Sequence, residues 1–222
     1  MATPKRASLP LFPIVVGVVI AIGLAVVVAT VVGGDDDTST VDVQQTRAVS
    51  VDGDPLPAFD GDSVEDPALG LTAPTVTGEN FASEPLRIAN DGRPKAIAFV
   101  AHWCPHCQAE VPRIEEWLST TGLPEGVDLY FVSTRVSAPD GNYPPSEWLE
   151  REGVSGVPTI ADDEGSTALA AYGAGRFPYL VYLDADNNVV LRTSGEYGSD
   201  PQAYTPVFEA LASGEPPVDP RG

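Results

Sequence analysis

The chain has 222 residues, enough for one domain of ordinary size with flanking segments and too few for two domains with separate cores. Acidic residues outnumber basic ones 32 to 12, and a formal charge of -20 repels phosphate backbones and anionic headgroups, which argues against nucleic acid as a partner. Charge of this kind favours solubility ahead of a dedicated docking face for basic proteins.

Residues 1–10 carry Lys5 and Arg6, after which Leu11 to Val32 runs for 22 residues without a charged side chain, long enough to span a bilayer core as a helix. A cleaved signal peptide is the competing reading. Its apolar region is about 7–15 residues and closes on a small-x-small site, whereas this run is longer and ends in Val31-Val32-Gly33-Gly34. An uncleaved single-pass anchor, a signal-anchor, is therefore expected over 11–32. Basic residues before the span and Asp35, Asp36 and Asp37 after it set the N-terminus in the cytoplasm. Everything beyond residue 34 is then expected outside the cell membrane. Residues 33–66 are rich in Asp, Thr, Ser, Gly and Pro and read as a flexible linker. The folded domain is expected over 67–213, followed by a frayed tail, 214–222, with Pro216, Pro217 and Pro220.

Within the domain, Lys95–Ala101 is an apolar run with the length of a buried strand. Pro105–Thr120 places Val111, Ile114, Trp117 and Leu118 at helical spacing, with Pro105 acceptable in the first turn. A strand is predicted over Val127–Ser133, short helices over Ser146–Glu152 and Gly165–Tyr172, and a strand over Tyr179–Leu183. Val189–Thr193 is its hairpin partner across the acidic loop 184–188, and a helix over Pro201–Ala212 closes the domain. Alternating strands and helices followed by a hairpin and a helix indicate an α/β sandwich with a central mixed sheet flanked by helices.

The two cysteines stand in Trp103-Cys104-Pro105-His106-Cys107, and both histidines, His102 and His106, fall beside them. A cross-link between such near neighbours removes little entropy from the unfolded chain, so reactivity explains the pair better than stability does. Thiol exchange needs one exposed, ionised thiol and a second close enough to displace a trapped partner. At the start of a helix Cys104 meets unpaired amides and the positive end of the dipole, and Cys107 follows one turn later, shielded. Cys104 is thus the expected nucleophile and Cys107 the resolving thiol. His106 can lend the Cys104 thiolate a hydrogen bond or positive charge, or be an exposed helix histidine with no such role. His102 is more simply a polar group at the rim.

The segment from Phe99 to Pro112, FVAHWCPHCQAEVP, resembles the active-site segment of the thioredoxin superfamily, especially its membrane-tethered TlpA/ResA-like branch. The similarity extends over about residues 67–213 and includes the opening segment 73–78, the segment 158–162 and the run 175–184. The resemblance implies a thioredoxin-like sandwich and a thiol-disulfide oxidoreductase whose redox-active centre is the Cys104–Cys107 disulfide, without a further cofactor or metal. It implies tuning by Trp103 and Pro105 and a role for Glu110 in thiol ionisation, beside the plainer reading of Glu110 as a first-turn acid suited to the helix dipole. It also implies a cis-proline beside the cysteines. Pro158 fits thioredoxin's own loop locally, but Pro178 precedes an apolar strand and hairpin, so Pro178 is preferred, with Phe177 supplying backbone to a substrate strand. Where thioredoxin has a buried aspartate, this chain has Ala98.

The dipeptide Pro105-His106 matches DsbA-like oxidants, whereas the scaffold resembles reductants of cytochrome c maturation. Oxidation of exported cysteine-containing proteins is slightly favoured, because an exported pair with no visible electron source rests oxidised. A reductant would need a membrane redox partner. A copper or zinc module built from His102, Cys104, His106 and Cys107 is a rival of another class, although adjacent ligands converge poorly. A non-catalytic interaction domain on the same fold is a third. The chain is expected to act as a monomer.

Overall fold

The structure, a computed structural model, describes residues 44–61 and 66–221. The anchor expected over 11–32 lies outside these residues, and no helix among them is long and apolar enough to cross a membrane. Three short strands, β1 (Ser50–Asp52), β2 (Thr75–Glu79) and β3 (Pro85–Ile88), form an antiparallel sheet in that order. The rest alternates: β4 (Lys95–Val100), α1 (Pro105–Thr120), β5 (Asp128–Ser133), α2 (Pro145–Arg151), β6 (Thr159–Ala161), α3 (Thr167–Ala171), β7 (Tyr179–Leu183) and β8 (Val189–Ser194). A 3-10 turn, Pro201–Ala203, leads into α4 (Tyr204–Ser213).

The five-stranded sheet has the order β6-β5-β4-β7-β8, parallel between β4, β5 and β6 and antiparallel between β4, β7 and β8. β4 is central because every one of its residues is buried and can satisfy both neighbours. Its two faces feed two cores. Ala96, Ala98 and Val100 point to one with Cys107, Trp117 and Phe208, while Ile97 and Phe99 point to the other with Tyr172 and Tyr179. Full burial of a side chain such as Phe99 contributes about 1.5–3 kcal/mol. Lys95, buried at the start of this strand, keeps its charge paired through Nζ to Asp91 and the Ala89 carbonyl, both at 2.7 Å.

The predicted strands and helices from Lys95 onward all occur, with ends shifted by up to three residues, the last helix starting at Tyr204 after the 3-10 turn. Four further strands escaped the sequence reading. β1, β2, β3 and β6 are three to five residues long, too short for an alternation to stand out.

The linker expected over 33–66 requires correction for its described part. Ser50–Asp52 pairs with β2, Gln45 Oε1 accepts from the Ser146 amide at 3.0 Å, and Leu56 is buried with its amide on the Ala171 carbonyl at 2.9 Å. Arg192 fastens the segment. Its guanidinium, wholly buried, bonds both carboxylate oxygens of Asp66 and, at 2.7 Å, the Pro57 carbonyl, and it stacks on Phe59 at 5.1 Å. Backbone approach is close enough that a Cβ at Gly173, where φ is +70°, would meet the Pro57 oxygen at 2.3 Å. Polar composition signalled a tether, but an ion pair and a few apolar anchors seat these residues. The tail is corrected likewise: Pro217 is buried, and Arg221 lies over the Tyr197 ring at 5.6 Å.

Candidate active site

Cys104 occupies the N-cap of α1 with extended backbone (φ -77°, ψ 119°), and Pro105 takes the first helical position, where a missing amide costs nothing. The chain enters from β4 through a turn closed by the Cys104 amide on the Ala101 carbonyl at 3.0 Å. Both cysteines are free thiols. Cys107 is wholly buried, and its sulfur accepts from the Ala101 amide at 3.5 Å.

The two thiols are held in opposite states. Hydrogen bonding from Cys107 brings the Cys104 thiol down to about 6 against the opposition of burial, helped by the amides of Cys107 and His106 at the helix start and by the charge of His106. The same bond, with burial, pushes Cys107 far upward, and the nearby charge of Glu110 adds to this. Cys104 is less open than expected, at 6% exposure, and it lines a cleft of about 600 Å³. Trp103, Cys104, His106, Arg176, Phe177 and Glu196 line it.

Among the described residues the cis peptide bonds are Tyr143–Pro144 and Phe177–Pro178, so Pro178 rather than Pro158 is the cis-proline beside the cysteines. The Phe177 carbonyl lies 3.9 Å from the Cys104 sulfur, and the Phe177 ring meets Trp103 edge to face at 6.1 Å. Trp103 donates through Nε1 to the Arg135 carbonyl at 2.7 Å.

His102 is not a rim residue. It is wholly buried, with Nδ1 2.7 Å from the Gly141 carbonyl and Nε2 accepting from the Ser137 amide at 3.1 Å. One nitrogen must donate and the other accept, so the ring is neutral and bolts the loop after β5 to the active-site turn. With His102 engaged in this way and His106 facing Glu196, the four residues of the metal reading do not converge, and no metal-holding cluster occurs among the described residues.

Glu110 is wholly buried behind the pair. It accepts from the Tyr197 amide at 2.9 Å and from the Tyr204 hydroxyl, and its other oxygen meets Arg113 at 3.0 Å. Arg113 also reaches Glu196 at 2.6 Å, and Glu196 reaches His106 Nδ1 at 2.7 Å. Sequence reasoning missed Arg113, Glu196, Tyr197 and Tyr204. Arg113 was detectable, since 106, 110 and 113 share one helix face. Glu196 carries no local signal.

A mixed-sheet α/β sandwich that sets a Cys-x-x-Cys at a helix start against a cis-proline belongs to the thioredoxin-like class. The chain is a member of the Redoxin family, whose profile matches residues 52–205, more than half of it. The thiol:disulfide interchange protein DsbE of Pseudomonas aeruginosa is 29% identical over 124 residues, 55% of this chain and 56% of the relative. The chain therefore spans about half the length of that curated relative. The thioredoxin domain of a thiol-disulfide oxidoreductase from Bacteroides vulgatus superposes with a TM-score of 0.51 at 22% identity, covering 65% of this chain and 98% of that one. An uncharacterized conserved protein from Geobacillus kaustophilus gives a TM-score of 0.55 at 21% identity, covering 74% and 90%. Both likenesses show the fold.

Proposed function

We propose that this chain is an extracytoplasmic thiol-disulfide oxidoreductase, tethered by a single span at residues 11–32, that exchanges disulfides with exported cysteine-containing proteins through its Cys-Pro-His-Cys dithiol. The observation that carries the reading is the opposition of the two thiols: Cys104 in the cleft, brought down to about 6, and Cys107 buried and kept protonated. As an oxidant, the Cys104–Cys107 disulfide is attacked at Cys104 by a client thiolate, the S–S bond breaks, and Cys107 leaves as a thiolate that takes up a proton from water. The client's second thiolate then attacks its own sulfur in the mixed disulfide and releases Cys104 as the thiolate. Two electrons pass from client to enzyme, and a membrane redox partner resets the pair. An acidic Cys104 is a good leaving group and stabilises the reduced form, which favours oxidation. Phe177, ahead of cis-Pro178, supplies backbone to the client, and Trp103 walls the cleft. The chain acts as a monomer and needs no cofactor beyond the dithiol.

Reduction in cytochrome c maturation is the second reading, supported by the TlpA/ResA-like scaffold and by Glu110 buried beside Cys107. Insulin or scrambled-protein turnover that survives Cys104→Ser would defeat both. Cys107→Ser is expected to leave mixed disulfides through Cys104, whose clients separate the two readings. A potential near about -270 mV, thioredoxin's own, would defeat the oxidant direction.

A further inference from the structure

Glu196 follows β8 in the loop 195–198, ninety residues from His106 in sequence, yet its carboxylate is gripped from two sides. One oxygen meets His106 Nδ1 at 2.7 Å, and the other accepts from Arg113 at 2.6 Å. The next amide, Tyr197, donates to Glu110 at 2.9 Å, which ties this loop to α1. His106 is otherwise an open side chain, 66% exposed at the mouth of the cleft, and among the described residues no second hydrogen-bond partner holds its ring. An exposed pair of this type adds little to stability. Its position beside Cys104 gives it a chemical use.

We propose that Glu196 is a positioning residue of the dithiol site, holding His106 against the mouth of the cleft so that its positive charge is presented to the Cys104 sulfur. This rests on the proposed exchange chemistry. The groups that act on the His106 charge are Glu196, from the loop after β8, and Cys104, from α1; Arg113 reaches the same Glu196 carboxylate, and Arg176, from the loop before β7, lines the same cleft. Desolvation at the cleft disfavours a protonated imidazole, and the Glu196 carboxylate is the group that most opposes it. Hydrogen bonding to Glu196 accordingly raises His106 above the ordinary imidazole value, and Glu196 itself is lowered by Arg113 first and His106 second. Arg113 ties this carboxylate to Glu110, so one salt-bridge chain borders both thiols.

The test uses the reduced full-length chain. His106 is titrated by NMR, and Cys104 alkylation is followed across a pH series, which reads thiol acidity without any client. In Glu196→Gln the His106 titration is expected to move down toward about 6.5. Alkylation at a pH below the Cys104 midpoint is expected to slow roughly twofold, because only the thiolate reacts. Glu196→Asp should recover part of both effects. In a His106→Ala background, Glu196→Gln should leave the alkylation curve where His106→Ala alone sets it. An unmoved His106 titration overturns the proposal, as does a thiol response of equal size with and without His106. A chain with the expected coupling but no turnover would leave this role intact and remove the exchange reading instead.

Discussion

Two carboxylates, the buried Glu110 behind the cysteines and the half-buried Asp66 at Arg192, meet guanidinium groups in different ways. Asp66 and Arg192 close on one another, and the remaining Arg192 donors go to the Pro57 and Tyr172 carbonyls and the Tyr179 hydroxyl. That pair fastens a strap to the sheet and leads nowhere. Glu110 shares Arg113 with Glu196, and Glu196 continues to His106 at the surface. Similar ionic chemistry thus serves as a rivet on one face and borders reactive sulfur on the other. The difference lies in what the second charge touches.

That contrast is tested most severely at the rivet. Arg192→Met strands Asp66 and removes donors from buried carbonyls, so unfolding in urea is expected to show a loss of about 3–5 kcal/mol, with the Cys104 alkylation midpoint unmoved. A midpoint that shifted with it would erase the distinction between the two sites.

The thiol side is expected to reveal itself through pH. Between pH 6 and 9 the unfolded Cys104 thiol, at 9.0, keeps its proton, whereas the folded one, at about 6, has lost it. The reduced chain should gain stability over the oxidised chain as pH rises through that window, by ~4 kcal/mol at most, and lose it again on acidification. Cys107, shifted upward, contributes no slope until pH exceeds its unfolded value. Parallel unfolding curves of the two redox forms check this, and a gap independent of pH would refute it.

Glu110→Gln is expected to cost about 1–3 kcal/mol, since the Arg113 contact loses its charge and one buried acceptor becomes a donor. It should also make Cys107 easier to ionise, measured in Cys104→Ser by alkylation at high pH, because the carboxylate disfavours that thiolate. The smallest effect belongs to Val218→Asp, at a side chain 75% exposed, where a change within about 0.5 kcal/mol in the same urea experiment marks the outer limit of the packed tail.

Much of this molecule is legible because the relevant signals are local. α1 runs from Pro105 to Thr120 as the spacing of Val111, Ile114 and Trp117 predicts, with Pro105 at its start and Cys104 at its cap. Cis-Pro178 was legible only through resemblance, from the strand and hairpin that follow it. The strap was misread because Asp, Pro and Gly describe a tether equally well, until Arg192, more than a hundred residues later, claims Asp66 and Pro57.

By itself the sequence determined the order of the longer strands and helices from Lys95 onward, the dithiol at a helix start and the buried course of β4, since these follow from residue type and periods of two or 3.6. Tertiary structure alone decided that His102 is a neutral bolt, that residues 44–61 are seated on the domain, and that Glu196 stands against His106. Each of these is a contact between residues 34 or more positions apart, and no spacing along the chain encodes which distant group will complete a hydrogen bond.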